Sequence, residues 1–247
     1  MNRHFEYTDT DIREDLPEAY REAWEIIAQP GYWWTAEEKI AIAEESRNAI
    51  NCDFCDERAE ALSPNSVKGE HNHTTELPAN VIDVVHRIVR DASRLSSSWL
   101  NGLYTDEFTD AHYIELLGVV VAVISVDNFH LGLGMPLEPL PNPNPGTPSN
   151  RRPAGAKSHG AWVPMVMPAD LEAIDNDMYD GMPDTGNVMA AMSLVPDSVK
   201  LLMILGGAQY LEARDVPNPS TNGGRALSRS QIEFVAGRVS AHNQCFY

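Results

Sequence analysis

The chain has 247 residues, of which 43% are hydrophobic and 22% are charged, and its formal net charge is -18 at pH 7. A chain of this length can form one large domain or two smaller ones, each with a sizeable hydrophobic core. The acidic balance argues against a nucleic-acid partner and against an anionic membrane surface, because both require basic residues on the protein.

No segment is predicted to cross a membrane. The most apolar run covers residues 116–126, about half of the roughly 20 residues that a transmembrane helix needs. The first residues are acidic and polar, unlike a signal peptide. A cytoplasmic location is therefore expected, and in a reducing compartment Cys52, Cys55 and Cys245 are not expected to form a disulfide framework.

Helical signals dominate the first part of the chain. Residues 17–27 carry an apolar stripe at helical spacing behind Pro17, a residue tolerated in the first turn of a helix. A second helix is predicted from Thr35, which forms a capping-box pattern with Glu38, to about residue 51. A third helix follows in the segment CDFCDERAEAL, which the Ser-Pro pair at residues 63–64 terminates.

A polar loop over residues 65–77 contains two histidines, His71 and His73. Helices are predicted after it over residues 79–91 and 93–100. The longest helix is predicted from Thr109 to about Leu131; its centre is rich in β-branched residues and would also suit a buried strand, but the capped start in front of it favours a helix.

The segment 135–168 interrupts this pattern because it is dense in proline, asparagine and glycine. Such a composition cannot sustain regular structure, and a connection this long is interpreted as an arm that reaches over a neighbour, with residues 161–167 as an apolar anchor. Helices are predicted again over residues 196–211 and 227–242.

An internal repeat is the main feature of the sequence. When Cys245 is placed on Cys52, an offset of 193 residues, two capped helices fall into register, and so do the residues around them. Chance similarity between two amphipathic helices is the alternative explanation. The paired positions are Thr35 with Ser228, Glu38 with Gln231, Ile42 with Val235, Ala43 with Ala236, and Phe54 with Tyr247.

These residues resemble a motif in which eleven residues separate a glutamate from a cysteine, two separate that cysteine from a second one, and three separate the second cysteine from a histidine. Glu233 and Cys245 match its first half, and Cys52 and Cys55 match its Cys-x-x-Cys half. The pattern resembles the AhpD-like alkylhydroperoxidase and carboxymuconolactone decarboxylase superfamily, and the segment around the helix predicted from Thr109 is similar to peroxidase-related members.

The resemblance covers about two thirds of the chain and implies an all-α, AhpD-like helical bundle made of two repeats joined by a long Pro/Asn-rich loop. Residues 1–134 would form the first repeat with the Cys-x-x-Cys pair, residues 135–168 the connecting arm, and residues 169–247 a second repeat truncated at its cysteine motif.

Two departures from the motif bear on function. In the first repeat, Ile40 stands at the position of the glutamate and Ala59 at that of the histidine, so this copy has the thiols without the proton relay. The second repeat stops at Tyr247, one residue before the expected second cysteine. We therefore expect the natural chain to continue beyond this residue.

The resemblance implies a thiol-dependent peroxidase or disulfide oxidoreductase. A thiolate attacks the peroxide, a second thiol resolves the sulfenic acid as a disulfide, and a helix N-terminus stabilises the thiolate. The predicted catalytic residues are Cys52, Cys55, Glu233 and Cys245. The expected partners are a hydroperoxide or another small-molecule substrate and a thiol/disulfide reductant protein; no cofactor is predicted, and a homo-oligomer is expected.

Alternatives remain for the same residues. Cys52, Cys55, His71 and His73 could bind zinc in a non-catalytic helical oligomerisation protein, although the His-x-His half is tighter than usual. The thiols could also be a retained structural pair, and a carboxymuconolactone decarboxylase-like enzyme would share the scaffold.

Other polar residues are predicted to have ordinary structural roles. Glu44 and Glu45 precede the cysteine pair by about two turns and could supply a relay carboxylate, but a solvated helix face is the favoured interpretation. Glu233 itself could equally be an exposed mid-helix carboxylate. His86 lies at the edge of an apolar stripe and is interpreted as a core histidine with satisfied hydrogen bonds.

Overall fold

The computed structural model describes residues 5, 7, 12–243 and 245, and over these residues the chain is all-helical, as predicted. The described residues hold nine α-helices, and their one β-type contact is an isolated bridge between Lys157 and Met165. The helices are α1 (Asp15–Ile27), α2 (Ala36–Asn48), α3 (Asp53–Glu60), α4 (Ala79–Asp91), α5 (Ser97–Asn101), α6 (Asp110–Gly132), α7 (Asn187–Ala190), α8 (Pro196–Gln209) and α9 (Arg229–His242).

The predicted helix starts are confirmed where a capping residue marks them. The Thr35 hydroxyl accepts a hydrogen bond from the backbone N–H of Glu38, and the Glu38 carboxylate accepts one from the backbone N–H of Thr35. The same reciprocal pair joins Ser228 and Gln231 at the start of α9. Each box satisfies two backbone donors that the first turn of a helix leaves unpaired.

The helix predicted over residues 93–100 is instead split into a 3-10 turn, Ala92–Arg94, and the short helix α5. The Ser96 hydroxyl accepts a hydrogen bond from the backbone N–H of Trp99 at 3.2 Å. This side chain therefore starts a new helix where a continuous one was expected, because serine competes with the helix interior for backbone donors.

The long helix α6 forms the centre of the molecule, where α2, α4 and α8 pack against it. Thr109 caps it, which confirms the predicted start. By length and composition α6 could cross a membrane, but 61% of its most apolar stretch is covered by the rest of the protein. It also buries Glu115 and Asp127 against partners on α2 or next to it, which is the environment of a core helix.

The main hydrophobic core is built from α6, which is buried all round, and from the buried residues of α1, α2, α4 and α8 that pack with it. Its largest fully buried side chains include Tyr20, Ile42 and Leu116. A smaller cluster joins Met178 and Tyr179 to residues beside and on α8. The two cysteines of the Cys-x-x-Cys segment lie at one end of the main core, beside α4.

The segment 135–168 contains no α-helix, as its composition predicted, and a 3-10 turn begins only at its last residue, Pro168. It lies across its own chain: the backbone N–H of Asn144 donates to the carbonyl of Ala28 at 2.8 Å, and that of Asn150 donates to the carbonyl of Tyr32 at 2.7 Å. Met165 and Val166 in the predicted anchor are buried. The arm therefore lies on the α1–α2 turn of its own chain, whose carbonyls accept its N–H groups. The sequence had suggested an arm that reaches over a neighbour.

Candidate functional site

Four side chains converge at the start of α3: Cys52, Cys55, His71 and His86. The two sulfurs and one imidazole nitrogen from each histidine all lie within 4.8 Å of one another. The cysteines are 0% and 5% exposed and His86 is 0% exposed, and the His71 side chain is 7% exposed. We call these four residues the Cys/His cluster.

The local structure of α3 brings the two sulfurs to the same place. Cys52 is the N-cap residue of α3 and has an extended backbone, while Cys55 lies in the first turn. The loop that follows α3 folds back over this turn, because the Asn72 side chain accepts a hydrogen bond from the backbone N–H of Asp53 at 3.0 Å. This contact satisfies one orphan donor of α3 and places the neighbouring His71 beside the sulfurs.

His71 bridges the two thiols and a carboxylate. Its Nδ1 lies 3.6 Å from Cys52 Sγ and 3.5 Å from Cys55 Sγ, and its Nε2 lies 3.0 Å from Asp83 Oδ1. Burial alone would raise the pKa of Asp83. However, hydrogen bonds from His71 and Arg87, with the charges of Arg87 and Arg58, hold that pKa well below its usual range.

His86 has the same arrangement on the other side. Its Nδ1 lies 3.3 Å from Cys55 Sγ, and its Nε2 lies 2.8 Å from Glu45 Oε1. Burial would raise the pKa of Glu45, but the hydrogen bond from His86 and those from Asn48, Thr75 and the backbone of Thr74 lower it. Burial lowers the pKa of His86 itself, and the contact with Glu45 opposes that shift only in part, so the neutral ring is favoured.

The carboxylate partners assign the tautomer of both rings. An ionised carboxylate only accepts hydrogen bonds, so Asp83 and Glu45 each require a proton on the Nε2 they face. Each Nδ1 then carries a lone pair directed at the sulfurs. Two sulfurs and two nitrogen lone pairs thus face one small volume.

The structure brings together only part of the sequence-predicted set. Cys52 and Cys55 are adjacent, and His71 joins them. His73 does not belong to the Cys/His cluster; its Nδ1 lies 3.0 Å from the carbonyl oxygen of Thr75, and His86 takes the fourth position. The zinc quartet that the sequence left as an alternative therefore differs from this cluster in one histidine, because loop residues two apart need not point the same way.

Two residues that the sequence analysis set aside turn out to be central. Glu45 is 0% exposed, so the solvated-face interpretation is wrong for it, while Glu44 is exposed. His86 is a buried core histidine, as predicted, but it also contacts Cys55. A signal existed for Glu45: it follows the core residue Ile42 by three positions, the spacing that shares one helix face.

Glu233 and Cys245 lie elsewhere. Glu233 is an exposed residue of α9, where it accepts hydrogen bonds from Tyr210 at 2.7 Å and Arg229 at 2.6 Å; these two bonds lower its pKa. Cys245 is exposed, and its backbone N–H donates to the carbonyl of Ser240. Tyr247 lies outside the described residues, so a second thiol site built on Glu233 and Cys245 stays a prediction.

In comparisons with known proteins, no family model, no curated protein and no solved structure matches this chain. The chemistry of the Cys/His cluster therefore has to be inferred from its own geometry.

Proposed function

We propose that Cys52 and Cys55 are a redox-active dithiol that reduces hydroperoxides and cycles between two thiols and a disulfide. The observation that carries this proposal is the contact of Cys55 with His86, whose second nitrogen is held by the buried carboxylate of Glu45. A thiol pair at a helix start, joined to a histidine and a carboxylate, has the components that peroxide reduction needs.

The surroundings assign different roles to the two sulfurs. Cys52 is the N-cap residue of α3, and a helix N-terminus carries a partial positive charge that attracts anions. Burial raises the pKa of Cys55 to about 12, and the negative charge on Cys52 and the hydrogen bond between the two residues add to that effect. We therefore assign the attack on the peroxide to Cys52, while Cys55 stays protonated as the resolving thiol.

The reaction runs in two balanced steps. Cys52 Sγ attacks one peroxide oxygen and the O–O bond breaks, which leaves a sulfenic acid on Cys52. The departing alkoxide (hydroxide, for hydrogen peroxide) takes up one proton from solvent and leaves as an alcohol or water. Cys55 then passes its proton to His86 Nδ1 and attacks Cys52 Sγ. The hydroxide that departs takes up this proton from His86, so the products are a disulfide, water and the neutral ring.

Glu45 is a positioning residue in this scheme. It fixes the tautomer and orientation of His86 and stabilises the ring when it becomes an imidazolium, because its carboxylate accepts the Nε2–H bond. Its carboxylate faces Nε2 of His86, whose Nδ1 faces Cys55, so Glu45 acts on the thiol through the ring. It thereby replaces the relay glutamate whose motif position is occupied by Ile40.

Burial of both sulfurs bears on the substrate. With Cys52 fully covered and Cys55 5% exposed, a small peroxide reaches the thiolate more readily than a bulky organic one. A thiol/disulfide reductant has to regenerate the dithiol, because the reaction consumes two electrons for each peroxide.

The proposal also includes a more detailed description of the fold. We infer an AhpD-like helical bundle with two repeats, supported by the matching capping boxes at Thr35 and Ser228 and by the register that places Cys245 on Cys52. A cytoplasmic location fits a dithiol that must be kept reduced.

The experiment counts thiols in zinc-free, reduced Cys245→Ser protein before and after one equivalent of hydrogen peroxide. Both remaining thiols should disappear, and peptide mass spectrometry should find a Cys52–Cys55 disulfide. His86→Asn should slow formation of the disulfide, the step in which His86 takes the Cys55 proton, by about 10²- to 10⁴-fold, the usual contribution of a general base. In the same background, Glu44→Gln is a matched control on an exposed carboxylate and should react at the parental rate.

Cys52→Ser and Cys55→Ser should each abolish disulfide formation. If the thiols of the parent protein survive peroxide, or if the disulfide forms at the same rate in the His86→Asn variant, the proposed function is wrong.

A further inference from the structure

We propose that Cys52, Cys55, His71 and His86 bind one Zn²⁺ ion when both thiols are reduced. The four donor atoms come from three separate parts of the chain: the start of α3, the loop after it, and the middle of α4. Binding of the ion would therefore cross-link these three parts of the chain.

The spacing of the donors fits a tetrahedral ion. Zinc–sulfur bonds of about 2.3 Å and zinc–nitrogen bonds of about 2.0–2.1 Å give sulfur–nitrogen edges of about 3.5 Å in a regular tetrahedron. His71 Nδ1 lies 3.6 Å and 3.5 Å from the two sulfurs. His86 Nδ1 lies 3.3 Å from Cys55 Sγ, so three measured edges are close to this value.

The second nitrogen of each histidine strengthens the assignment. Metal-bound histidines usually donate their other N–H to a carboxylate or a carbonyl, which fixes the ring and makes the ligating nitrogen more basic. His71 has Asp83 in this role at 3.0 Å, and His86 has Glu45 at 2.8 Å. Both rings in the Cys/His cluster are thus oriented with a lone pair toward the sulfurs.

Charge and ligand type favour zinc among the divalent ions. Two thiolates and two neutral imidazoles balance the double positive charge, so the loaded site is neutral in a buried place. The outer carboxylate of Asp83 is already paired with Arg58 at 2.8 Å and Arg87 at 2.7 Å. Sulfur and imidazole donors suit zinc, whereas calcium and magnesium require oxygen.

Zinc binding would regulate the dithiol, and this consequence rests on the proposed peroxide reduction. The ion and the disulfide use the same sulfur electrons, so they exclude each other. Oxidation of the loaded site by a hydroperoxide consumes two protons and yields the disulfide, an alcohol or water, one further water and free Zn²⁺. The ion would protect the resting thiols and leave when they are oxidised.

The first test titrates reduced, metal-free protein with Zn²⁺ and, separately, with Co²⁺. Native mass spectrometry should detect one zinc per chain. The cobalt form should show intense visible bands of a tetrahedral site and a thiolate-to-metal charge-transfer band. A reduced protein that takes up no stoichiometric zinc, or a cobalt spectrum without thiolate bands, would overturn the proposal.

Variants then identify the ligands. His86→Ala should lose the tetrahedral cobalt spectrum and His73→Ala should keep it; the reverse result would return the site to the quartet expected from sequence and overturn this one. Because His86→Ala opens a cavity in the core, Asp83→Asn provides a milder variant on a partly exposed carboxylate. It should weaken zinc binding by about 10- to 100-fold, whereas unchanged affinity would contradict the role given to Asp83.

The outcomes separate this proposal from the proposed function. Zinc uptake is measured without peroxide, and disulfide formation is measured without zinc. A protein that forms the disulfide but binds no zinc retains only the redox function. A protein that binds zinc at these residues but whose metal-free thiols survive peroxide has a structural metal site and no peroxidase activity.

Discussion

Helices α2 and α9 both begin with a capping box, but they lie in very different surroundings. Thr35 and Ser228 form complete capping boxes at positions 193 residues apart. Each helix leads toward a cysteine, Cys52 after α2 and Cys245 after α9. At the level of backbone hydrogen bonding, the two starts are equivalent.

Their burial differs almost completely. Helix α2 packs against α4 and α6 and buries residues along its length, including Ile42 and Glu45. Within α9, Ile232 is the one buried residue described, and Phe234 and Val235 are 71% and 54% exposed. This exposed apolar surface is what the predicted homo-oligomer would cover, and self-association stays a prediction.

The comparison shows that a cap decides where a helix starts and a packed neighbour decides what its residues can do. Behind α2, the cysteine is buried among histidines and carboxylates. Behind α9, the cysteine is exposed and the glutamate pairs with surface residues. Chemistry requires the shielded environment, because low polarity strengthens the interactions among buried polar groups.

The largest expected difference in stability is between substitutions at Ile42 and Val235, which occupy matching positions of α2 and α9. Ile42→Ala removes a fully buried side chain and should lower the free energy of unfolding by about 2–5 kcal/mol. Val235→Ala, at the equivalent position of α9, should change it by less than about 0.5 kcal/mol because the residue is mostly exposed. Denaturant titrations followed by circular dichroism would measure both, and equal losses would contradict the observed burial.

A smaller difference in stability is expected between substitutions at Glu45 and Arg238, the polar residues at matching positions of α2 and α9. Each Glu45 oxygen accepts two hydrogen bonds. In Glu45→Gln one of these oxygens becomes an NH₂ group, which cannot accept hydrogen bonds, so two donors lose their partner in either orientation of the amide. We expect a loss of about 1–3 kcal/mol in the free energy of unfolding. Arg238→Gln, the exposed equivalent in α9, should be within about 0.5 kcal/mol of the parent. A neutral Glu45→Gln result would show that this network contributes little to stability.

The smallest difference involves the caps themselves. Thr35→Ala should lower the global free energy of unfolding by about 1 kcal/mol, because α2 unfolds together with the core. Ser228→Ala removes an equivalent cap, but α9 is weakly packed and should fray locally. Amide hydrogen exchange should then rise in the first turn of α9 alone, with the global stability kept; a matching global loss would show that α9 is coupled to the core.

Sequence reasoning was most successful for features set by neighbours in the chain. The capped start of α6 at Thr109 and the bounds of α4 were confirmed, because caps and helical periodicity depend on residues within a turn or two. The arm over residues 135–168 was recognised from composition for the same reason, since closely spaced prolines exclude a helix interior.

Only part of the Cys/His cluster could be predicted from local sequence. The sequence by itself determined that Cys52 and Cys55 lie together at a helix start, because their spacing of three places both in one turn. Only the packing of α4 against α2 decided that His86 would meet Glu45, a pair 41 residues apart, and only the fold of the loop after α3 selected His71 over His73. Local rules extend over a few residues of chain, whereas the contacts that set a thiol's chemistry depend on which helix faces are buried against each other.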